Sequence, residues 1–527
     1  MRLPALGLHI PLLLQLAISG VQCLNQTFTL DQVQAQITNY TQSLQKRSQT
    51  SVPSGCHLAC DFLSFTLPQK VSFPKSSAYE LQQAHYWSQQ QALSRPECRI
   101  APGSAIDVSF AILTFRATQC RFSVKSGGHA AFAGASNTAG GVTMDLVNLD
   151  QVSVSRDKSQ VSVGAGNTWY RVFSELTPQG LTVVGGRVSA IGVGGLVTGG
   201  GMSFISSQHG WACDNVNTFE VVLGDGTIKE VSYQSQYSDL YFALRGGGNN
   251  FGIVTRFDLK AYPQGDFWAG SNTIMYTEES SAAMTDAFYH FGINAPSDPL
   301  AQTIIAYAWV QEMDTWVIVA DLQYAKPVAN PPILQNFTAI PSVSSTLRQV
   351  DLPSLTVEFN NSNPGGYRQT FWTLTVQNDA TLMSDIIDIY MQQVATVADA
   401  NGLVPSISFQ AITTDMTTHF AVNGGNALGL ANQGPLNLIN VVLSWMDAAD
   451  DTRIMAAAKA AIDHSNAAAK ARKLDHPFLY MNYASYMQDV FPGYGAKNVA
   501  RLKSIRDKYD PHQVFTVLQP GYFKLPK

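Results

Sequence analysis

Charge is scarce in this chain. Only 13% of its 527 residues are Asp, Glu, Lys or Arg, and the formal net charge is −5. No basic run or basic helix face occurs, which argues against a nucleic-acid partner. Cysteine is also sparse, with six residues: Cys23, Cys56, Cys60, Cys98, Cys120 and Cys213. Cys56 and Cys60 enclose three residues, a poor zinc spacing, and no paired C-x-x-C follows; no metal site is expected. Beyond the N-terminus, no stretch is long and apolar enough to span a membrane. No G-x-G-x-x-G opens a helix and no G-x-x-x-x-G-K-[ST] occurs, so neither a Rossmann nor a P-loop mode is supported. No internal repeat is evident.

What is present points elsewhere. The chain is 45% hydrophobic, ample for a large core spread over two or three domains or one large body with a second lobe. The N-terminus has one early positive charge, Arg2, an apolar stretch from about Leu6 to Ile18, and then small residues. That pattern predicts a secretory signal over residues 1–23, cleaved after Gly20 or Cys23. Four cysteines between 56 and 120 fit an oxidising compartment and predict one or two disulfides, with the pairing left open. Sequons at Asn25, Asn39, Asn336 and Asn360 predict a glycoprotein. The expected location is the secretory pathway or the outside of the cell, with a vesicle or the cell wall as variants.

The texture of the chain changes along its length. Residues 24–93 form a polar N-terminal segment, with a weak helix early and a second near 79–94. Residues 94–265 are dense in short β-type runs broken by glycine, such as "GGVTMDL" and "LTVVGG", and "GDGT" at 224–227 is a strong hairpin signal. Over 266–476, apolar strands alternate with Ala-rich helices, which predicts a mostly antiparallel sheet with helices on one side. Residues 477–527 form a compact, motif-rich end.

Three glycine-rich stretches stand out: "SGGH" at 126–129, "GVGGLVTGGG" at 192–201 and "RGGGNNFG" at 245–252. Glycine lets a backbone turn sharply and approach a ligand, and successive free N–H groups form a nest for anions. A pyrophosphate is the natural guest.

Together, "VKSGGH", "GGVTMDL", "GVGGLVTGGG", "CDNV", "DLYFALRGGGNNFGIVT", "YMNY" and "YGAKNVARLKSIRDKYDPHQVF" resemble the FAD-linked oxidases of the berberine bridge enzyme-like group. These are members of the vanillyl-alcohol-oxidase superfamily. The resemblance is close over about 95–262 and 478–516 and looser between them. It implies an α+β fold: a PCMH-type FAD-binding domain of two β-rich subdomains with flanking helices, plus a substrate domain of antiparallel sheet backed by helices.

By the same resemblance, His129 bonds covalently to FAD, and Ser126, Gly127, Gly128 and Ala130 contact its pyrophosphate. Ile191, Gly192, Gly194, Gly195, Asp214, Asn215, Gly252, Ile253 and Val254 complete the cofactor set. Many relatives add a cysteinyl link in the stretch that here reads "GRVSAIGVGG", but Val188 stands at the cysteine position, so attachment through His129 alone is expected. Cys213 reads as a small buried thiol. Ile191 falls where relatives line the approach of oxygen.

Tyr483 is the implied base and Asn482 the orienting residue. Relatives often follow that tyrosine with Arg-Asp; here Ala484 and Ser485 do, which removes the arginine's charge assistance. Gln410 and His419 lie on segments that could face the flavin. The implied function is that of a secreted oxidoreductase. It oxidises an alcohol or amine, or drives an oxidative cyclisation, in secondary metabolism. Its partners are a small-molecule substrate and either oxygen or another electron acceptor. An extracellular carbohydrate oxidase and a non-catalytic flavin-carrying binder are the alternatives.

Overall fold

The computed structural model describes residues 28–47 and 54–526. The signal segment, Cys23 and the Asn25 sequon lie outside them.

Two sheets make up the region from about 71 to 263. The smaller has four strands in the order Val71–Ser72, Cys98–Ile100, Val142–Asp145 and Phe122–Lys125. The last three run parallel. The larger is antiparallel and centres on Ile253–Pro263, flanked by Gln160–Gly164 and Val216–Val222, with Leu181–Val183 also paired to it. Val216–Val222 and Ile228–Ser232 form the hairpin expected around "GDGT". Its turn rests on the helix Ala105–Thr118, where Ser109 donates to the Gly226 carbonyl (2.5 Å) and Arg116 to that of Gly224 (2.9 Å). That helix has no polar face over most of its length, because both its sides are covered.

The helix expected from 79 to 94 is interrupted. It forms as Ser77–Ala84 and Gln89–Ala92, each capped by a serine, Ser76 and Ser88. The break at 85–88 lets the Trp87 N–H bond the Gly128 carbonyl (3.2 Å). A tertiary contact outweighs local helix propensity here. The early polar segment is the helix Leu30–Arg47, which buries Val33 and Ile37, four residues apart on one face.

The third sheet has nine strands, antiparallel throughout. Its central order is Phe267–Met275, Thr315–Tyr324, Ala301–Val310, Val404–Ile412, Leu436–Trp445 and Arg368–Gln377. Side chains alternate across it. Ile305, Tyr307, Ile318 and Val441 join the helices Glu278–Asn294, Ala380–Ala395 and Asp451–Ala471 in a separate apolar core. Their neighbours Ile304, Ala306, Val319 and Val442 face the other way and line a cavity. The C-terminal segment returns to the first region: Asn250 bonds the backbone of Phe523 (3.1 Å) and Leu525 (3.1 Å).

Cys56 pairs with Cys120 and Cys60 with Cys98, closing loops of 64 and 38 residues. Cys213 is free and buried. In the chain-entropy picture each loop is worth about 4 kcal/mol, less jointly because one lies inside the other. The double substitution Cys60→Ser, Cys98→Ser is therefore expected to lower unfolding free energy by about 2–4 kcal/mol. An unchanged urea midpoint under oxidising conditions would refute this. Among the described residues, no helix is long and apolar enough to cross a membrane, and no group of side chains could hold a metal ion.

Candidate active site

A cavity of about 460 Å³ lies between the two-sheet region and the face of the nine-stranded sheet that turns away from its helices. The three glycine-rich stretches converge on it: residues 126–130, Ile191, Gly192, Gly194 and Gly195, and Gly248 with Gly252–Val254. Two of the loops touch back to back. A Cβ on Gly127 would lie 2.3 Å from the Gly192 nitrogen, and one on Gly192 would lie 2.1 Å from the Gly127 nitrogen. Ser126 fastens the contact by donating to the Ala165 carbonyl (2.6 Å) and accepting from Gly194 N–H (3.1 Å). The substitution Gly192→Ala is expected to force the loops apart and abolish cofactor retention. Full flavin content per purified chain would contradict that expectation.

His129 follows directly. Its ring stacks on Trp87, with centroids 4.5 Å apart and planes 10° from parallel. Trp87 is itself held, its indole N–H donating to the Asn363 carbonyl (3.1 Å). His129 Nε2 is buried without a partner. Burial pushes the imidazole down to about 4, so the ring is neutral near neutral pH. A neutral imidazole at the cavity wall with a buried, unpartnered nitrogen is an unusual thing to keep, and it suits a ring that receives a covalent substituent. Val188 lines the same wall. Cys213 does not, and burial raises its thiol well above its ordinary range.

Tyr483 sits at the far side. Its hydroxyl accepts from Arg187 Nη2 (2.8 Å) and from Gln410 Nε2 (3.2 Å), and Arg187 also donates to Gln410 Oε1 (2.6 Å). Tyr480 meets its ring edge-on at 4.9 Å. The loss of charge assistance expected from Ala484 and Ser485 is thus corrected. The guanidinium comes instead from Arg187, in the loop after the strand Leu181–Val183, and nothing in the local sequence marked it. Asn482 is locked between the Leu196 carbonyl (3.1 Å), Tyr480 Oη (3.0 Å) and the Tyr522 hydroxyl (3.2 Å).

Three sequence candidates lie away from the cavity. Asp214 is buried against Arg245 (3.0 Å) and accepts from Asn426 (2.8 Å) and Trp211 N–H (3.0 Å). Asn215 bonds the carbonyls of His209 and Trp211, both at 2.8 Å. They brace the segment behind the glycine loops. His419 packs by Gly210, near His209. Conversely, sequence reading missed Asp321, which lines the cavity from the sheet.

The glycine cradle and the orphaned imidazole nitrogen fit a dinucleotide with a reactive ring. Fold and site together define a flavoprotein of the two-region type, with cofactor loops on one side and a substrate sheet on the other. The sequence family described as "FAD binding domain" matches residues 96–232. The chain is 38% identical over 497 residues to the FAD-dependent monooxygenase tpcD of Cochliobolus heterostrophus, covering 89% of this chain and 94% of that one. It is 39% identical to the FAD-dependent monooxygenase FUP4 of Fusarium proliferatum, covering 84% and 87%. Among solved structures, 6-hydroxy-D-nicotine oxidase of Arthrobacter nicotinovorans superposes with a TM-score of 0.72 at 18% identity, covering 86% and 97%. A berberine bridge enzyme variant superposes with a TM-score of 0.70 at 15% identity, covering 89% and 98%. The chain belongs to the family of the fungal FAD-dependent monooxygenases, which are FAD-dependent oxidoreductases, and it shares its fold with berberine bridge enzyme.

Proposed function

We propose that this oxidoreductase removes a hydride and a proton from a small organic alcohol or amine in secondary metabolism, with Tyr483 receiving the proton. The observation that carries the reading is Tyr483 Oη, bonded to Arg187 and Gln410 at the edge of a cavity that the glycine loops enter. FAD, when bound, supplies the two-electron acceptor. His129 would hold it covalently, with no cysteinyl link because Val188 has no thiol. Residues 126–130, 191–195 and 252–254 would cradle its phosphates and ring. Arg187 lies against Oη, where its positive charge would stabilise the deprotonated phenol that takes the substrate proton, and Gln410 fixes the phenol's direction. Asn482, immobilised by three bonds, keeps the wall beside Tyr480 in place. The low-charge walls exclude water and orient the substrate.

The same reading assigns residues 94–265 and 477–527 to cofactor binding and 266–476 to substrate binding. Two disulfides support passage through the secretory pathway, with glycans at exposed Asn39 and Asn336. The test is anaerobic mixing of the purified yellow protein with a panel of small alcohols and amines. Bleaching by a panel member, with no labelled oxygen in the product on re-aeration, is the expected result. Labelled oxygen in the product would favour the insertion chemistry in the relatives' name. A panel that perturbs the flavin spectrum without ever bleaching it would favour a binding protein.

A further inference from the structure

We infer that Asp321 forms a second subsite in this cavity, which selects a neutral, hydroxylated substrate by accepting a hydrogen bond from its distal hydroxyl. The inference rests on the reading above and names the class of molecule the site takes.

Asp321 lies in register with Ile304, and Ile304 with Gln410. All three therefore stand in one row and point to the cavity. Two strand spacings separate Asp321 from Gln410, about 10 Å between backbones. One end of that row thus holds Tyr483 through Gln410, and the other ends in a carboxyl. Ile304 forms an apolar floor between them, and Ala306 and Ala308 are too small to fill the space above.

Asp321 Oδ1 accepts from the Ser271 hydroxyl (2.5 Å). Oδ2 has no partner among the described residues. Asp321 is half-buried, and the surface it keeps faces the cavity. One row along, Asn440 is 5% exposed, lines the same cavity, and leaves its Oδ1 unpartnered. Asn440 Oδ1 is a buried acceptor without a donor, which is costly unless a ligand supplies one, and Asp321 Oδ2 is open to the cavity. Both vacant acceptors ask for hydroxyl or N–H donors.

Charge decides between those two. Asp321 is the sole carboxylate among the lining residues and Arg187 the sole guanidinium or ammonium. Neither forms an ion pair among the described residues; Arg187 uses Nη2 to bond both Tyr483 and Gln410. They balance each other across the cavity, so a neutral ligand preserves the balance and an ammonium or carboxylate upsets it in a poorly solvated space. Burial and Glu358 raise the Asp321 carboxyl to about 6, opposed by the Ser271 bond and Arg187. A carboxyl kept at that cost in a cavity is a functional candidate.

The test uses the flavin-loaded protein and two probes that differ by one group, 6-(hydroxymethyl)-2-naphthol and 2-naphthalenemethanol. Dissociation constants come from the change in flavin absorbance. The wild type should bind the naphthol at least tenfold tighter. In Asp321→Leu that ratio should fall towards one, and in Asp321→Asn it should fall part of the way. A wild-type ratio near one overturns the inference, as does a full ratio retained in a variant with a native flavin spectrum. Where Asp321→Leu fails to fold, the ratio in Asp321→Asn decides. Colourless wild-type protein would overturn the flavin reading beneath it, an outcome visible before any probe is added.

Discussion

Acid-precipitated wild-type protein should give a yellow pellet, and His129→Ala should release all of its colour to the supernatant. The physical basis is the state of the imidazole. A bond to carbon needs a nitrogen lone pair, and burial has lowered His129 from 6.5 to about 4. The ring is therefore neutral throughout the range in which a free histidine titrates. It follows that covalent attachment to apoprotein should proceed at a constant rate from pH 5.5 to 8, and slow only as pH falls towards 4. A rate that drops tenfold between pH 7 and 5.5 would show that the ring titrates normally and is not enclosed as described. Trp87 makes a second arm possible. Its stack fixes the plane of the imidazole, so Trp87→Ala should bind FAD yet attach it incompletely. Colour released equally from wild type and His129→Ala would mean that the cofactor is held without a bond.

Replacing Tyr483 with Phe should slow flavin reduction by about 10²–10⁴-fold, the usual worth of a positioned general base. Covalent flavin and thermal stability should stay close to wild type, because the ring and its edge-on contact with Tyr480 remain. Arg187→Met should approach the same loss. Arg187→Lys should recover part of it, since a lysine keeps the charge but loses the rigid guanidinium that places Nη2 against Tyr483 and Gln410 together. Tyr483→Phe reducing its flavin at the wild-type rate would remove the base assignment.

The sequence by itself determined the class of this protein. Glycine loops, hairpin turns and strand alternation are local patterns, set by what a few adjacent backbones and side chains can do. They were enough to place "SGGH", "GVGGLVTGGG" and the "GDGT" hairpin, and to separate the strand-dense region from the helix-backed sheet. His129 and Tyr483 were legible for a related reason, because each sits inside a short motif.

Only the tertiary structure decided what surrounds them. Arg187 reaches Gln410 across 223 residues and Tyr483 across 296, and no local pattern encodes such a contact. Trp87 leaves its helix to meet His129, against its own propensity. Asp321 reads in the sequence as one acid in a strand, and becomes part of the site through register alone: a one-residue slip would turn it into the helix-backed core. Asp214 went the other way, a motif residue that packing assigns to Arg245 instead of the cavity. Chemistry-bearing residues were readable where the backbone had to be special, and unreadable where they needed only to be close.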